Sequence, residues 1–222
     1  MAARWLACAD REQAGRAMAE RIETSLREAL AQDGRACLVL SGGSSPAHTL
    51  DCLSTAQLDW SRVDILPSDE RCVAEDHPDS NAGMLRARLL QGPAAAARLH
   101  PLYRPGVDAS AAIAALRPFD CVLLGMGADG HFASLFPDFD GLDEALDPAS
   151  PETLLSVRTA ASPHPRLSLT LAALCDTPCL LLLLFGADKR AVYEAAAAGK
   201  ARLPISALLA IDDLPLTTVW AP

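Results

Sequence analysis

The sequence predicts an α/β protein with three layers, in which helices cover both faces of a mostly parallel, doubly wound, Rossmann-like sheet. Short and continuously apolar runs, such as ACLVL at residues 36–40 and FDCVLL at 119–124, are typical of strands buried on both faces. Longer amphipathic stretches separate these runs, so strands and helices alternate along the chain. Half of the residues are hydrophobic but only 5% are aromatic, which favours helices packed on an aliphatic sheet.

The first half of the chain begins with a short apolar run and a long amphipathic helix. Asp10 is a suitable N-cap for this helix, and Gly34 is a suitable residue to end it after about Gln32. Pro46 stands where the first turn of a second helix is expected. The predicted elements are strands at 5–8, 36–40 and 63–66, and helices at 11–32, from 46 onward and at 81–90.

The second half continues the alternation, and its most apolar segment is CLLLLLF at residues 179–185. This segment is much shorter than a membrane span and is expected to be a buried strand. The predicted strands lie at 99–102, 119–124, 154–157, 179–185 and 217–220, and the predicted helices at 109–116, 169–175, 187–198 and 205–209.

Length and composition indicate one domain that covers residues 1–222, because no linker or change in composition divides the chain. The net charge of −9 argues against a nucleic-acid partner. We also expect no signal peptide, no membrane partner and a cytoplasmic location. Seven scattered cysteines without a C-x-x-C pair fit reduced thiols in such a compartment.

Four polar clusters follow predicted strands directly. They are SGGSS at 41–45, SDER at 68–71, GMGADGH at 125–131 and GADKR at 186–190. Because ligands bind beyond the carboxyl ends of the strands in such sheets, the four clusters are expected to meet at one edge. The sequence therefore predicts a binding site at this edge.

The first two clusters each allow a functional and a structural interpretation. In SGGSS, Gly42, Gly43 and Ser44 precede a helix, an arrangement that suits a phosphate, although a plain flexible turn has the same composition. No G-K-[ST] follows, so the segment is not a P-loop. In the second cluster Asp69, with its neighbours Glu70 and Arg71, forms either part of a site or a surface ion pair.

The third cluster contains Gly125, Gly127 and Gly130 in the spacing G-x-G-x-x-G. A dinucleotide site would need a long helix after the third glycine, and Pro137 interrupts that helix, so we expect no dinucleotide cofactor. His131 instead has the position of a general base, unless it is an ordinary surface imidazole.

Either Asp129 or Asp69 could fix the tautomer of His131. The other histidines, at 48, 77, 100 and 164, show no metal-ligand spacing, and we expect no metal. Arg166, at the start of RLSLT, and Lys189, in GADKR, are either solvated cations or parts of a phosphate clamp.

Together these motifs resemble the 6-phosphogluconolactonases over about residues 35–200. Four blocks carry the resemblance in order: LVLSGGSSP, SDERCV with DSN, LLGMGADGHFASLFP, and PRLSLT with GADKR. The third block is highly specific, whereas SGG alone is not. The related glucosamine-6-phosphate deaminases continue their G-H block as A-F-N-E-P and have D-E-Y, while this chain has ASLFP and DER.

The resemblance implies the fold class of the glucosamine-6-phosphate deaminases and ribose-5-phosphate isomerases. It also implies hydrolysis of 6-phospho-D-glucono-1,5-lactone by a monomer or homodimer that binds a small sugar phosphate and needs no cofactor. His131 would be the general base, and Asp69 and Asp129 would order the site. The implied substrate-binding residues are Gly42, Gly43, Ser44, Arg71, Asn81, Gly127, Arg166 and Lys189.

Two other functions stay open from the sequence. The first is an amino sugar phosphate isomerase or deaminase in which Asp69 removes a proton, and the second is a non-catalytic sugar-phosphate sensor. Some residues also depart from the family's usual pattern: Ser45 replaces a threonine, Ser68 a glycine and Ala74 a proline. The chain ends at Pro222, shortly after Trp220, without the aspartate-bearing tail of many members.

Overall fold

The computed structural model describes residues 4–222 and contains two sheets flanked by helices. The strands are β1 (Arg4–Ala7), β2 (Ala36–Leu40), β3 (Val63–Pro67), β4 (Asp69–Arg71), β5 (Arg98–Leu99), β6 (Cys121–Gly125), β7 (Leu154–Val157), β8 (Arg166–Leu169), β9 (Leu180–Phe185) and β10 (Leu216–Ala221). The helices are α1 (Arg11–Asp33), α2 (Ala47–Ser54), α3 (Asn81–Arg88), α4 (Ser110–Ala114), α5 (Leu142–Ala145), α6 (Leu171–Cys175), α7 (Ala187–Ala197) and α8 (Pro204–Leu209). Short 3₁₀ turns lie at Trp60–Arg62 and Gly92–Ala96.

The central sheet has seven parallel strands in the order β1-β10-β9-β6-β2-β3-β5. Successive residues of its inner strands face two separate cores, as the period of a strand requires. On β6, Val122 and Leu124 face the core that includes α8, while Cys121 and Leu123 face the core beneath α1. The predicted three-layer, mostly parallel α/β fold is therefore confirmed.

Helix α1 shows how local sequence determines where an element begins and ends. The Asp10 carboxylate accepts a hydrogen bond from the backbone N–H of Gln13 at 2.7 Å, which satisfies one free donor of the first turn. Gly34 ends the helix with φ +70°, a conformation that costs glycine little. Between these caps, Met18, Ile22 and other apolar residues at helical spacing are buried against the sheet.

A second sheet, in the antiparallel order β4-β8-β7, was not expected from the sequence. Residues 154–157 form the predicted strand but lie in this small sheet rather than beside the central one. The DER segment, for which no strand was predicted, is strand β4, and RLSL forms strand β8. The predicted helix at 169–175 accordingly begins only at Leu171, after Thr170 caps its first turn. Strands β4 and β8 have only three and four residues and contain charged side chains, so they carry too little apolar periodicity to be recognised.

Most other predicted elements are present with shifts of one or two residues at their ends. The strand expected at 99–102 is reduced to the two residues Arg98–Leu99, and the four-residue helix α5 was not predicted. Among residues 4–222, no helix combines the length and apolar character that a membrane crossing demands. All seven cysteines have free thiols.

Candidate active site

The polar clusters meet at the carboxyl edge of the central sheet, where they surround a cavity of about 280 Å³. Every sequence-predicted site residue except Asp129 lines this cavity, although the residues come from segments spread over most of the chain. The lining also includes five residues that were not predicted as site residues: Ser41, Ser45, Gly125, Met126 and Ala133. Four of these belong to the SGGSS and GMGADGH motifs, so their place in a motif could have indicated that they line the site.

His131 is oriented by the carboxylate next to it in the motif. Its Nδ1 lies 2.6 Å from Oδ1 of Asp129, and its backbone N–H donates to the same oxygen at 3.2 Å. Its ring packs on Phe136 with 4.3 Å between ring centroids. With Nδ1–H donating to a carboxylate, the lone pair of the neutral imidazole is on Nε2, which is the atom free to accept a proton.

Gly127, the second glycine of the G-x-G-x-x-G pattern, makes room for this imidazole. A Cβ on Gly127 would lie only 2.3 Å from Nδ1 and Cε1 of His131, and 2.6 Å from Oδ1 of Asp129. Gly130 has φ +78° and donates its N–H to the carbonyl of Gly127 at 3.1 Å, which closes a tight turn. Gly127 and Gly130 therefore allow the backbone of this turn to pass close to the side chain of His131.

Asp69 is buried and makes no hydrogen bond or ion pair with His131. Its Oδ2 accepts from the hydroxyl of Ser134 at 2.5 Å and from Nη1 of Arg166 at 3.4 Å. Its Oδ1 accepts from the hydroxyl of Ser68 at 3.1 Å. Of the two carboxylates considered as partners for the histidine, Asp129 is the one that the structure brings to it.

Glu70 points away from the cavity and organises the start of α3. Its carboxylate accepts hydrogen bonds of 2.7–2.8 Å from the backbone N–H groups of Arg71, Asn81 and Ala82. Only 2% of the residue is exposed, and burial raises the pKa of its carboxyl group although these hydrogen bonds act in the opposite direction. The surface ion pair considered for the DER segment is therefore wrong for Glu70.

Arg71 reaches the cavity from β4 with unused hydrogen-bonding capacity. Its Nη1 donates to the backbone carbonyl of Asp79 at 2.7 Å. Its Nε is buried and has no hydrogen-bond partner among residues 4–222. Since an unpaired buried donor is costly, this N–H suits an anionic ligand in the cavity.

Two further cations face the same cavity. Nη1 of Arg166 contacts Asp69 and Ser134, its guanidinium lies 5.2 Å from the centroid of the Phe136 ring, and its side chain is only 13% exposed. Burial lowers its pKa, so Arg166 is not a freely solvated cation. Lys189 lies in the first turn of α7, where burial and then the nearby Arg11 lower its pKa while Asp129 acts to raise it.

The SGGSS segment lines the same cavity as these cations. Gly42 packs so tightly on Asn81 that an added Cβ would lie 2.0 Å from the amide oxygen of that residue. The Nδ2 group of Asn81 donates to the carbonyl of Asp69 at 2.6 Å, which ties the glycine segment to β4. Gly43 has φ +82°, and Pro46 occupies the N-cap position of the helix α2 that follows. Exposed amides before a helix and three cations together suit a phosphate group.

A family profile described as Glucosamine-6-phosphate isomerases/6-phosphogluconolactonase matches residues 9–220, almost the whole chain. The chain therefore belongs to this family. Within it, the chain is 44% identical to the 6-phosphogluconolactonase of Mesorhizobium japonicum over 98% of its own length and 95% of the relative's. It is 43% identical to that of Pseudomonas aeruginosa, over 95% and 91% of the two lengths. The resemblance inferred from the four sequence blocks is confirmed.

Solved structures give the same result. A 6-phosphogluconolactonase from Shewanella baltica superposes with a TM-score of 0.91 at 33% identity, covering 99% of this chain and 98% of that one. A monomeric glucosamine-6-phosphate deaminase has a TM-score of 0.76 at 18% identity, covering 98% and 97% of the two chains. At that level of identity the deaminase shows a shared fold only.

The space at Gly127 can be tested with two glycine variants. Gly127→Ala places a Cβ where the His131 ring lies, so the ring moves and the Nδ1–Asp129 hydrogen bond is lost. Proton NMR of the imidazole N–H should show loss of its hydrogen-bonded, downfield resonance. Gly125→Ala is the matched control, because the nearest atom to its added Cβ is the Ser41 hydroxyl at 3.8 Å. An unchanged resonance in both variants would contradict this account of the motif.

The buried Glu70 carboxylate can be tested by stability. In Glu70→Gln one oxygen becomes an NH₂ group that faces backbone donors, so the free energy of unfolding should fall by about 1–3 kcal/mol. Denaturant unfolding measures the change. Glu75→Gln, which alters an exposed carboxylate paired with Arg86, should cost less than about 1 kcal/mol. An equal fall in the free energy of unfolding for the two variants would show that the buried carboxylate of Glu70 stabilises the protein no more than an exposed one does.

Proposed function

We propose that the protein hydrolyses 6-phospho-D-glucono-1,5-lactone to 6-phospho-D-gluconate, the lactonase step of the oxidative pentose phosphate pathway. One observation carries the proposal most directly: the Asp129-oriented imidazole of His131 shares a cavity with Arg71, Arg166 and Lys189. This combination supports a base and a phosphate site that act on one small sugar phosphate. The names of the relatives agree with this activity.

In the proposed reaction, His131 is the general base. Its Nε2 removes a proton from a water molecule as that water attacks the lactone carbonyl carbon, C1. Asp129 holds the ring through Nδ1–H and stabilises the imidazolium that forms. The ring oxygen then leaves as C1 re-forms its carbonyl, and the imidazolium returns the proton to that oxygen. His131 therefore acts first as the base and then as the acid, so its imidazole is neutral again at the end of the cycle.

The phosphate of the substrate is held by cations and backbone N–H groups. Arg71 offers its unpaired Nε, and Lys189 forms no ion pair within the described part of the chain, so both have free capacity for an anion. The backbone N–H groups of Gly42, Gly43 and Ser44 add donors at the start of α2. Anchoring the distant phosphate fixes C1 relative to His131, which converts binding energy into orientation of the reacting carbonyl.

Asp69, Arg166 and Asn81 form the framework of the site in this proposal. The two carboxylate oxygens of Asp69 accept hydrogen bonds from Ser68, Ser134 and Arg166. Asp69 is therefore poorly available as the proton-abstracting base that a deaminase would need. Its negative charge holds Arg166 at the cavity wall. Gly127 contributes space rather than a functional group.

The proposal also covers the setting of the enzyme. The cavity is built from residues of one chain, so both a monomer and a homodimer can work, and a small sugar phosphate is the partner. Seven free thiols fit the reducing cytoplasm, where we place the reaction.

Removal of the base tests the mechanism. His131→Ala should lower kcat for lactone hydrolysis by about 10²–10⁴-fold, the usual contribution of a positioned general base. The assay follows acid release from freshly generated lactone, with spontaneous hydrolysis subtracted and folding checked by circular dichroism. His100→Ala removes an imidazole outside the cavity and should leave kcat unchanged. Near-normal turnover of His131→Ala would refute the assignment of the base.

The same preparations separate the proposed activity from its alternatives. Wild-type protein should release no ammonia from glucosamine 6-phosphate while it hydrolyses the lactone rapidly. Rapid ammonia release with slow lactone turnover would identify a deaminase. Binding of 6-phosphogluconate without any turnover would identify a sugar-phosphate sensor.

The role of Lys189 can be tested separately from the chemistry. Lys189→Met removes one cation at the phosphate, so KM for the lactone should rise about 10-fold or more while kcat changes little. Lys200→Met, which alters the only other lysine of the chain at an exposed position beyond α7, should leave both constants unchanged. A fall in kcat with unchanged KM would place Lys189 at the reacting carbonyl instead.

A further inference from the structure

A second cluster of histidines lies outside the cavity, on two loops that are distant in sequence. His77 and Asp79 belong to the loop between β4 and α3, and His164 belongs to the loop between β7 and β8. Nε2 of His164 is 3.0 Å from Oδ2 of Asp79, and Nδ1 of His77 is 3.9 Å from the same oxygen. The two imidazole rings meet edge to face, with 5.4 Å between centroids. Spacing in the sequence did not indicate this cluster, because the fold creates it.

We propose that His77, Asp79 and His164 together bind one divalent transition-metal ion, with Zn²⁺ as the preferred ion. The three potential ligand atoms lie within 4.8 Å of one another. Zinc binds imidazole nitrogen and carboxylate oxygen at about 2.0–2.2 Å, so tetrahedral ligand atoms are separated by about 3.3 Å. The observed separations of 3.0 and 3.9 Å bracket this value. Only small side-chain rotations are needed to close the site around an ion.

The chemistry of the ligands selects the class of metal. Two imidazoles with one carboxylate suit Zn²⁺ and its transition-metal neighbours, whereas Mg²⁺ and Ca²⁺ prefer oxygen ligands alone. The side chains of His164, His77 and Asp79 are 28%, 39% and 51% exposed. An ion can therefore enter from solvent, and a water molecule can take the fourth position.

The surroundings of the cluster impose a modest cost on binding. The backbone N–H of Asp79 donates to Nδ1 of His77 at 3.1 Å, and coordination through Nδ1 displaces this hydrogen bond. That N–H is at the surface, where water replaces the lost acceptor. Arg71 binds the backbone carbonyl of Asp79 rather than its carboxylate, so the carboxylate stays available for an ion. Arg166 interacts electrostatically with Asp79 and opposes the cation, while the net charge of −9 favours it.

A bound ion would join two loops that flank the active site. The β4–α3 loop begins just after Arg71, and the β7–β8 loop ends just before Arg166. The metal would act as a cross-link between these loops and would leave the catalytic imidazole untouched. The proposal goes beyond the lactonase reaction and does not depend on it.

Zinc titration of the protein without a purification tag tests the proposal. Isothermal calorimetry with Zn²⁺ should show one tight site per chain. His77→Asn and His164→Asn should each weaken that site at least tenfold. His100→Asn is the matched control, since His100 also pairs with a carboxylate, Asp64 at 2.7 Å, but belongs to no such cluster within residues 4–222. It should bind Zn²⁺ as the wild type does.

A further variant separates this cluster from the active-site pair of His131 and Asp129. His131→Ala should keep the tight site, and loss of binding there would overturn the proposal, as would unchanged binding in His164→Asn. Melting temperatures without metal establish that each variant folds. Co²⁺ supplies a second measurement on the wild type: intense visible bands of tetrahedral nitrogen and oxygen coordination support the site, and weak octahedral bands refute it.

Discussion

Two successive buried carboxylates on β4 hold the site together. Because side chains alternate along a strand, Asp69 and Glu70 point in opposite directions from a segment of three residues. Asp69 binds Ser134 and Arg166, which anchors the segment after His131 and the arginine of β8. Glu70 binds three backbone N–H groups, two of them at the start of α3. Loss of either carboxylate would leave buried donors without a partner, so the small sheet, α3 and the cavity wall depend on both.

The sequence predicts the central sheet well because its strands are buried on both faces. Residues 36–40 form a strand with the predicted ends, and α1 begins and ends at the predicted caps. The small sheet escapes prediction for the opposite reason. DER and RLSL are short and contain charged residues. Hydrogen bonds that Asp69 and Glu70 accept from other parts of the chain stabilise these strands rather than local propensity.

The motifs at the strand ends bring most of the candidate site residues together at one cavity. The strand-end clusters place His131, Arg71 and Lys189 around one cavity, since parallel strands bring their carboxyl ends to a common edge. Sequence cannot choose between Asp69 and Asp129 as the partner of His131, because that choice depends on rotamers and distances. It also misses the meeting of His77 with His164, since only the fold brings their two loops together.

The strand order has a consequence for how the chain reaches its native state. Among residues 4–222, strand β1 pairs only with β10, which is the last described strand in sequence and lies between β1 and β9. During synthesis on the ribosome β1 therefore lacks its partner in this sheet until β10 has emerged. Until then the edge of β9 is also open, and exposed strand edges of this kind promote association between chains. Closure of this side of the sheet therefore waits for β10, and a nascent chain that lacks β10 carries an unpaired β1 together with an open edge on β9.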